Sequence, residues 1–184
     1  MTCDTANKEL EDSYINFVAE IQPNIAPFED LLNQKIAASN FVNDLSKDQA
    51  YFIYFRSIKN AIELFREANI PLNAEMQTLS QKYGTITGGM SVEINGETLT
   101  LQQASNHLKS TDRGMRKMAY ETINNRRLEN KGELDELFDS LVKLRHTVAS
   151  NSGFANYRDY MHSALGRFDY SVNDCFSFHE AIEN

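Results

Sequence analysis

His179-Glu180 is the first half of the pattern His-Glu-x-x-His, in which two histidines one helical turn apart grip a metal and the glutamate activates a water. Four residues after His179 stands Glu183, so the second ligand is missing and the pair reads as a half-buried histidine beside an exposed glutamate. His107, His146 and His162 share no i, i+4 spacing with one another or with His179. Gly84-Thr-Ile-Thr-Gly88-Gly89 is glycine-rich, but it lacks the Lys-Ser/Thr ending of a phosphate-binding loop and leads toward a strand where such loops lead into a helix. It reads as a flexible lead-in. Arg113, Arg116, Lys117, Arg126 and Arg127 make a basic stretch that Glu121 and Glu129 can pair as a solvated helix face. Asp135-Glu136 and Glu9, Glu11 and Asp12 read as solvated helix surface as well. Cys3 and Cys175 lie at opposite ends, with no second cysteine or histidine at metal spacing, and no disulfide is expected. No catalytic, cofactor-binding or metal-ligating residue is assigned within the chain.

The elements that carry these residues are mostly helical. Leu10, Tyr14, Phe17, Val18 and Ile21 fall on one stripe, resumed by Ile25, Phe28, Leu32 and Ile36, with Pro23 and Pro27 expected to kink or split the helix. Tyr51, Tyr54, Phe55, Ile58, Ala61, Ile62 and Phe65 mark an aromatic-rich helix with Ser46 as its expected cap and a stripe that reads as core. Asn73 is the expected cap of a short helix that Gly84 would end. The period then changes to two. Met90, Val92 and Ile94 alternate with polar residues, as do Leu99 and Leu101, around Asn95-Gly96, the signature of a two-residue type I′ turn. That turn pairs Val92 with Leu99 and Met90 with Leu101. A helix capped by Thr111 or Asp112 runs to about Asn130 and is broken by Gly132. On the next helix Leu134, Leu137, Leu141, Leu144 and Val148 form a seam that Gly153 ends. Ser171 and Asp174 resemble a capping box for a last helix from Val172, with Cys175, Phe178 and Ile182 as its apolar stripe. The fold class expected is mainly α, antiparallel helical hairpins with one small β-hairpin at about Thr85–Leu101. Residues 1–84 and 102–184 supply the helices on either side.

A chain of 184 residues with 41% hydrophobic and 24% charged residues can bury a core as one domain or an elongated pair of subdomains. Its net charge of −8 opposes binding to nucleic acid or an anionic membrane. The most apolar run, Tyr51 to Phe55, is far short of the roughly 20 residues that cross a bilayer. Met1 to Lys8 contains no apolar signal-peptide core, and a reducing cytoplasm is the expected location.

The phrases Leu141-Val-Lys-Leu-Arg-His-Thr-Val-Ala149, Asn151-Ser-Gly-Phe-Ala-Asn-Tyr-Arg-Asp-Tyr160 and Arg167-Phe-Asp-Tyr-Ser171 closely resemble the oligoendopeptidase F family of zinc peptidases, relatives of thimet oligopeptidase. Met1-Thr-Cys-Asp-Thr-Ala-Asn7, Asn69-Ile-Pro-Leu72 and Leu101-Gln-Gln103 agree, so the likeness runs over nearly the whole chain. A run such as Gly-Phe-x-Asn-Tyr-Arg-Asp-Tyr is not forced by helical periodicity. The resemblance implies a non-catalytic fragment, from the N-terminal side or interior of a longer cytoplasmic zinc endopeptidase that hydrolyses peptide bonds in short peptides. In such proteins the His-Glu-x-x-His helix and a later glutamate ligand lie beyond the part that matches Asn184, and the implied chemistry is metal-assisted hydrolysis with the motif glutamate as base. Zinc and the oligopeptide substrate are therefore expected of the parent and not of this chain, which would form part of one channel wall and be inactive alone. Phe176, Phe178 and Ile182 would then stand open for the remainder of the polypeptide. A free-standing helical module that binds a protein partner without enzymatic activity is the alternative.

Overall fold

The structure is a computed structural model and describes residues 7–183; Cys3, and with it any Cys3–Cys175 pairing, lies outside the described residues. The elements in order are α1 (Lys8–Asn16), a π-helical segment (Phe17–Ile21), α2 (Gln22–Ala37), α3 (Val42–Leu45), α4 (Gln49–Leu64), α5 (Asn69–Gly88), β1 (Ser91–Ile94), β2 (Glu97–Thr100), α6 (Leu101–Ala104), a 3-10 segment (Ser105–Lys109), α7 (Arg113–Glu129), α8 (Lys131–Asn151), α9 (Tyr157–Ala164) and α10 (Val172–Glu183). The fold is mainly α with one antiparallel two-stranded sheet among the described residues. It divides into two compact units, the first made of the residues up to Asn16 and Gln77–Val142, the second of Phe17–Met76 and 143–184.

The first unit is organised by the hairpin. Asn95 (φ +55°) and Gly96 (φ +82°) both take the left-handed conformation a type I′ turn demands, and Val92 pairs with Leu99 as the sequence predicts. Val92 and Ile94 point to one face and pack with Ala104, Ala119 and Ile123, so α6 and α7 cover a ribbon that could not stand alone in water. Two expectations are corrected here. Leu101 does not extend the ladder opposite Met90: Thr100 caps α6 in a capping box with Gln103, which turns the chain into helix while Leu101 still packs on the same cluster. Residues 85–88 are not a flexible lead-in but the last turn of α5. Asp112 caps α7, its carboxylate accepting from Gly114 N–H at 2.8 Å.

The second unit holds a cluster of Val42, Phe55 and Ile58, joined by Ile36, Ala37 and Ile62. The prolines do not split the first helical run. A π segment, Phe17–Ile21, leads into α2; Pro23 sits in the first turn of that helix, where a missing N–H costs no intrahelical bond, and Pro27 lies inside it. Ser46 is not the cap of α4. It closes α3, and Asp48 caps α4 by accepting from Ala50 N–H at 2.8 Å. Nor does Asn73 begin a helix, since α5 starts at Asn69 and runs through Gly84, where a side chain would meet open space. Asn69 is buried because its amide donates to the Val148 carbonyl (3.1 Å) and the Ser152 hydroxyl (3.0 Å), and that hydroxyl donates to the Leu64 carbonyl at the end of α4 (3.1 Å). Gly153, at φ +87°, ends α8 as expected.

Candidate functional site

Helical spacing puts Phe52, Arg56, Lys59, Asn60 and Glu63 on one face of α4, and that face is the floor of a cavity of about 410 Å³ in the second unit. Val42, Asn43 and Ser46, from α3 and its C-cap, form one side, and Phe168, from the turn between α9 and α10, forms another. Gly166, at φ +66°, bends that turn and lets Phe168 reach α4.

Arg56 organises the site. Its guanidinium carbon lies 4.5 Å from the Phe168 ring centre and 5.6 Å from that of Phe52, close enough for cation–π attraction to both rings. One of its N–H groups, on Nη1, donates to the Asp169 carboxylate at 3.1 Å. Asp169 is 80% exposed, which makes the pair a weak one, and the Arg56 Nε is buried with no partner. Beside it Asn60 and Ser163 form a reciprocal pair: the Asn60 amide donates to the Ser163 carbonyl (3.0 Å) and the Ser163 hydroxyl to the Asn60 side-chain oxygen (2.6 Å), docking α9 on α4. His162 meets Tyr170 edge-on, with ring centres 5.5 Å apart and its Nε2 buried and unpartnered.

The residues singled out in the sequence assemble no centre. His179 lies on α10 and is exposed, not half-buried, as are Phe178 (64%) and Ile182 (68%) on the same helix, and its ring centre lies 6.3 Å from that of Phe178. The Ser171–Asp174 box is present, with Ser171 N–H donating to the Asp174 carboxylate at 2.7 Å. The four histidines fall on four different elements, and no group of three or more His, Cys, Asp or Glu among the described residues could hold a metal. In the first unit Arg113, Arg116 and Lys117 border an open depression of about 380 Å³ with Leu108 and Tyr120. Arg116 there donates to the Ser110 and Thr111 carbonyls, and Lys117 faces Glu121 at 3.7 Å. Arg126 pairs with Glu129 at 3.2 Å, so Arg116, Lys117 and Arg126 of the basic stretch each have a partner close in the chain. Lys8 pairs with Asp12, and Lys131 with Asp135, as solvated surface; Glu11 is not solvated as expected, its side chain being 23% exposed and accepting from the Gln81 amide at 3.3 Å as well as pairing with Lys8. Sequence reasoning missed Arg56: its signal was a lone cation directly after Tyr51-Phe-Ile-Tyr-Phe55, and its partners at 168 and 169 are far away in the chain.

No family profile and no curated protein matches the chain. Solved structures do. One assigned as an oligoendopeptidase F aligns with a TM-score of 0.90 at 22% identity, over 97% of this chain and 31% of its own. Another so assigned, from Bacillus anthracis str. Ames, gives 0.89 at 22% identity, over 97% of this chain and 32% of its own. A PZ peptidase A with an inhibitor gives 0.88 at 24% identity, over 96% and 31%. The chain spans about a third of the length of the structures it matches, and throughout that span its fold is that of oligoendopeptidase F structures.

Proposed function

We propose that this chain is a helical section of a zinc-dependent oligoendopeptidase F-type peptidase, forming part of the wall of the channel that admits short peptides and supplying neither a metal ligand nor the catalytic base. The observation that carries the reading is the fold likeness over nearly the whole chain to structures about three times longer. The residues present do not fit a zinc ion, since no cluster of ligating side chains forms among the described residues. Metal and water activation would belong to the remainder of the polypeptide, which is the partner proposed here along with the peptide substrate. A cytoplasmic location accords with the reading. No described helix is long and apolar enough to cross a membrane, and the charge of −8 disfavours nucleic acid.

The apolar stripe of α10 supports the same reading. Phe176, Phe178 and Ile182 are 44%, 64% and 68% exposed, an apolar surface of the kind that marks a covered interface in the assembled protein. A free-standing binding module would bury that stripe with its own residues. The test is to read the coding sequence on both sides of the segment and express the whole frame. A frame continuing into a His-Glu-x-x-His helix, whose product cleaves a quenched fluorescent peptide and stops on chelation, is the expected result. A frame closed at Asn184 whose product is monomeric and inactive would overturn it.

A further inference from the structure

We infer that the α4 cavity is a binding site for a monocarboxylate with an apolar body, and that the ligand's carboxylate takes over Arg56 from Asp169. The inference does not depend on the peptidase reading. Arg56 spends a single side-chain hydrogen bond, on a carboxylate that is 80% exposed, while its other N–H groups have no partner among the described residues. Phe168 and Phe52 stand 4.5 Å and 5.6 Å from the guanidinium carbon, an apolar flank beside which a planar carboxylate can make two parallel charge-assisted bonds to the N–H fork. The charges lining the cavity are two cations, Arg56 and Lys59, against one carboxylate, Glu63; with Asp169 on Arg56 the set is balanced, and one positive charge is left for an anion when Asp169 lets go. That single charge suits a monoanion better than a phosphate dianion. Val42, Phe52, Phe55 and Phe168 supply the apolar walls, and a cavity of about 410 Å³ takes a phenyl or branched aliphatic group.

The exchange follows from relative worth. Asp169 loses little on release because water solvates it again, whereas a carboxylate inside the cavity would pair with Arg56 away from solvent and bury its apolar tail. Asp169 is therefore a competitor that holds the turn against α4 until a ligand arrives.

The probe is 3-phenylpropionate, with 3-phenylpropionamide as its neutral twin, titrated into the 15N-labelled chain. The acid is expected to shift the Arg56 Nε–H resonance and the Gly166–Tyr170 amides, and the amide to bind roughly tenfold more weakly or not at all. Asp169→Asn should tighten the acid about two- to fivefold, the worth of removing one exposed competing ion pair. Arg56→Lys, which keeps the charge and loses the fork, should weaken it. Equal binding of acid and amide, or an Asp169→Asn variant that binds the acid no better than the parent, would overturn the proposal. Because Asp169 is a surface residue, that arm stands even if substitution at Arg56 disturbs the fold.

Discussion

Replacing Asn69 with alanine should be among the most damaging single changes in the second unit, and the structure says by how much. Asn69 is 3% exposed; its Nδ2 donates to the Val148 carbonyl and Ser152 Oγ, and its Oδ1 accepts from Asn151 Nδ2 at 2.7 Å. Not every lost partner is orphaned. The Val148 carbonyl also accepts from the Ser152 N–H at 3.2 Å, Asn151 is exposed enough to turn to water, and Ser152 keeps its bond to Leu64. The cost is then about 1 kcal/mol for each of the two buried bonds plus a small void, in all ~2–4 kcal/mol. At roughly 2 kcal/mol per molar urea this moves the unfolding midpoint down by about 1–2 M, read by far-UV circular dichroism. Ser152→Ala should cost about 1–2 kcal/mol, and the double variant less than the sum by ~0.5–1.5 kcal/mol, because the two side chains share a bond. Asn69→Asp adds a sign. A carboxylate at that place faces the Val148 carbonyl and is buried, so its folded pKa lies above the unfolded value of about 3.9. The variant's stability is then full below the unfolded pKa and is lost as pH rises through the folded one. Additive single and double variants, or an Asn69→Ala midpoint within error of the parent, would refute the buried knot.

Gly96→Val should destabilise the first unit by about 1–2 kcal/mol, since a β-branched residue resists φ +82°, with backbone amide exchange at Val92 and Leu99 as the readout. Asp112→Ala should remove the cap of α7 at a cost of ~1 kcal/mol by thermal melting, while Glu133→Gln, which breaks the exposed Lys82–Glu133 pair, should cost under about 0.5 kcal/mol. Hydrogen bonds from the Ser171 hydroxyl and backbone N–H hold the Asp174 carboxyl below its ordinary range. That depressed value means the α10 box contributes stability above the unfolded pKa and loses it as pH falls through the folded one, so the Ser171 amide resonance should move in an acid titration and stay flat in Asp174→Asn. The chain by itself should self-associate through the open Phe178 and Ile182 of α10 as concentration rises, and Phe178→Ser with Ile182→Ser should suppress this in sedimentation velocity.

Local signals read well where local chemistry decides. Asn95-Gly96, Asp112 and Ser171–Asp174 are each fixed by a backbone requirement that few residues meet, and each stands where the sequence put it. Asn73, Gly84 and Ser46 misled because competing terms were stronger. Gly84 costs a helix only about 1 kcal/mol, which a helix anchored at Asn69 by buried bonds absorbs; Ser46 yields to Asp48, whose carboxylate reaches Ala50 N–H. The aromatic stripe read as core is only partly so: Phe55 and Ile58 are buried, but Tyr51 and Tyr54 are 48% and 50% exposed. Arg56 was illegible because its meaning rests on Phe168 and Asp169, brought to it by tertiary structure and not by spacing.

The central claim is that the chain carries the peptidase fold without the peptidase's metal chemistry, and equilibrium dialysis against zinc after exhaustive chelation tests it most directly. The expected result is no stoichiometric, tightly held zinc and no cleavage of a quenched fluorescent peptide by the dialysed chain, because His179 stands exposed with Glu183 where a second histidine would be needed. One tightly bound zinc per chain, lost on His179→Ala together with peptide cleavage, would contradict it.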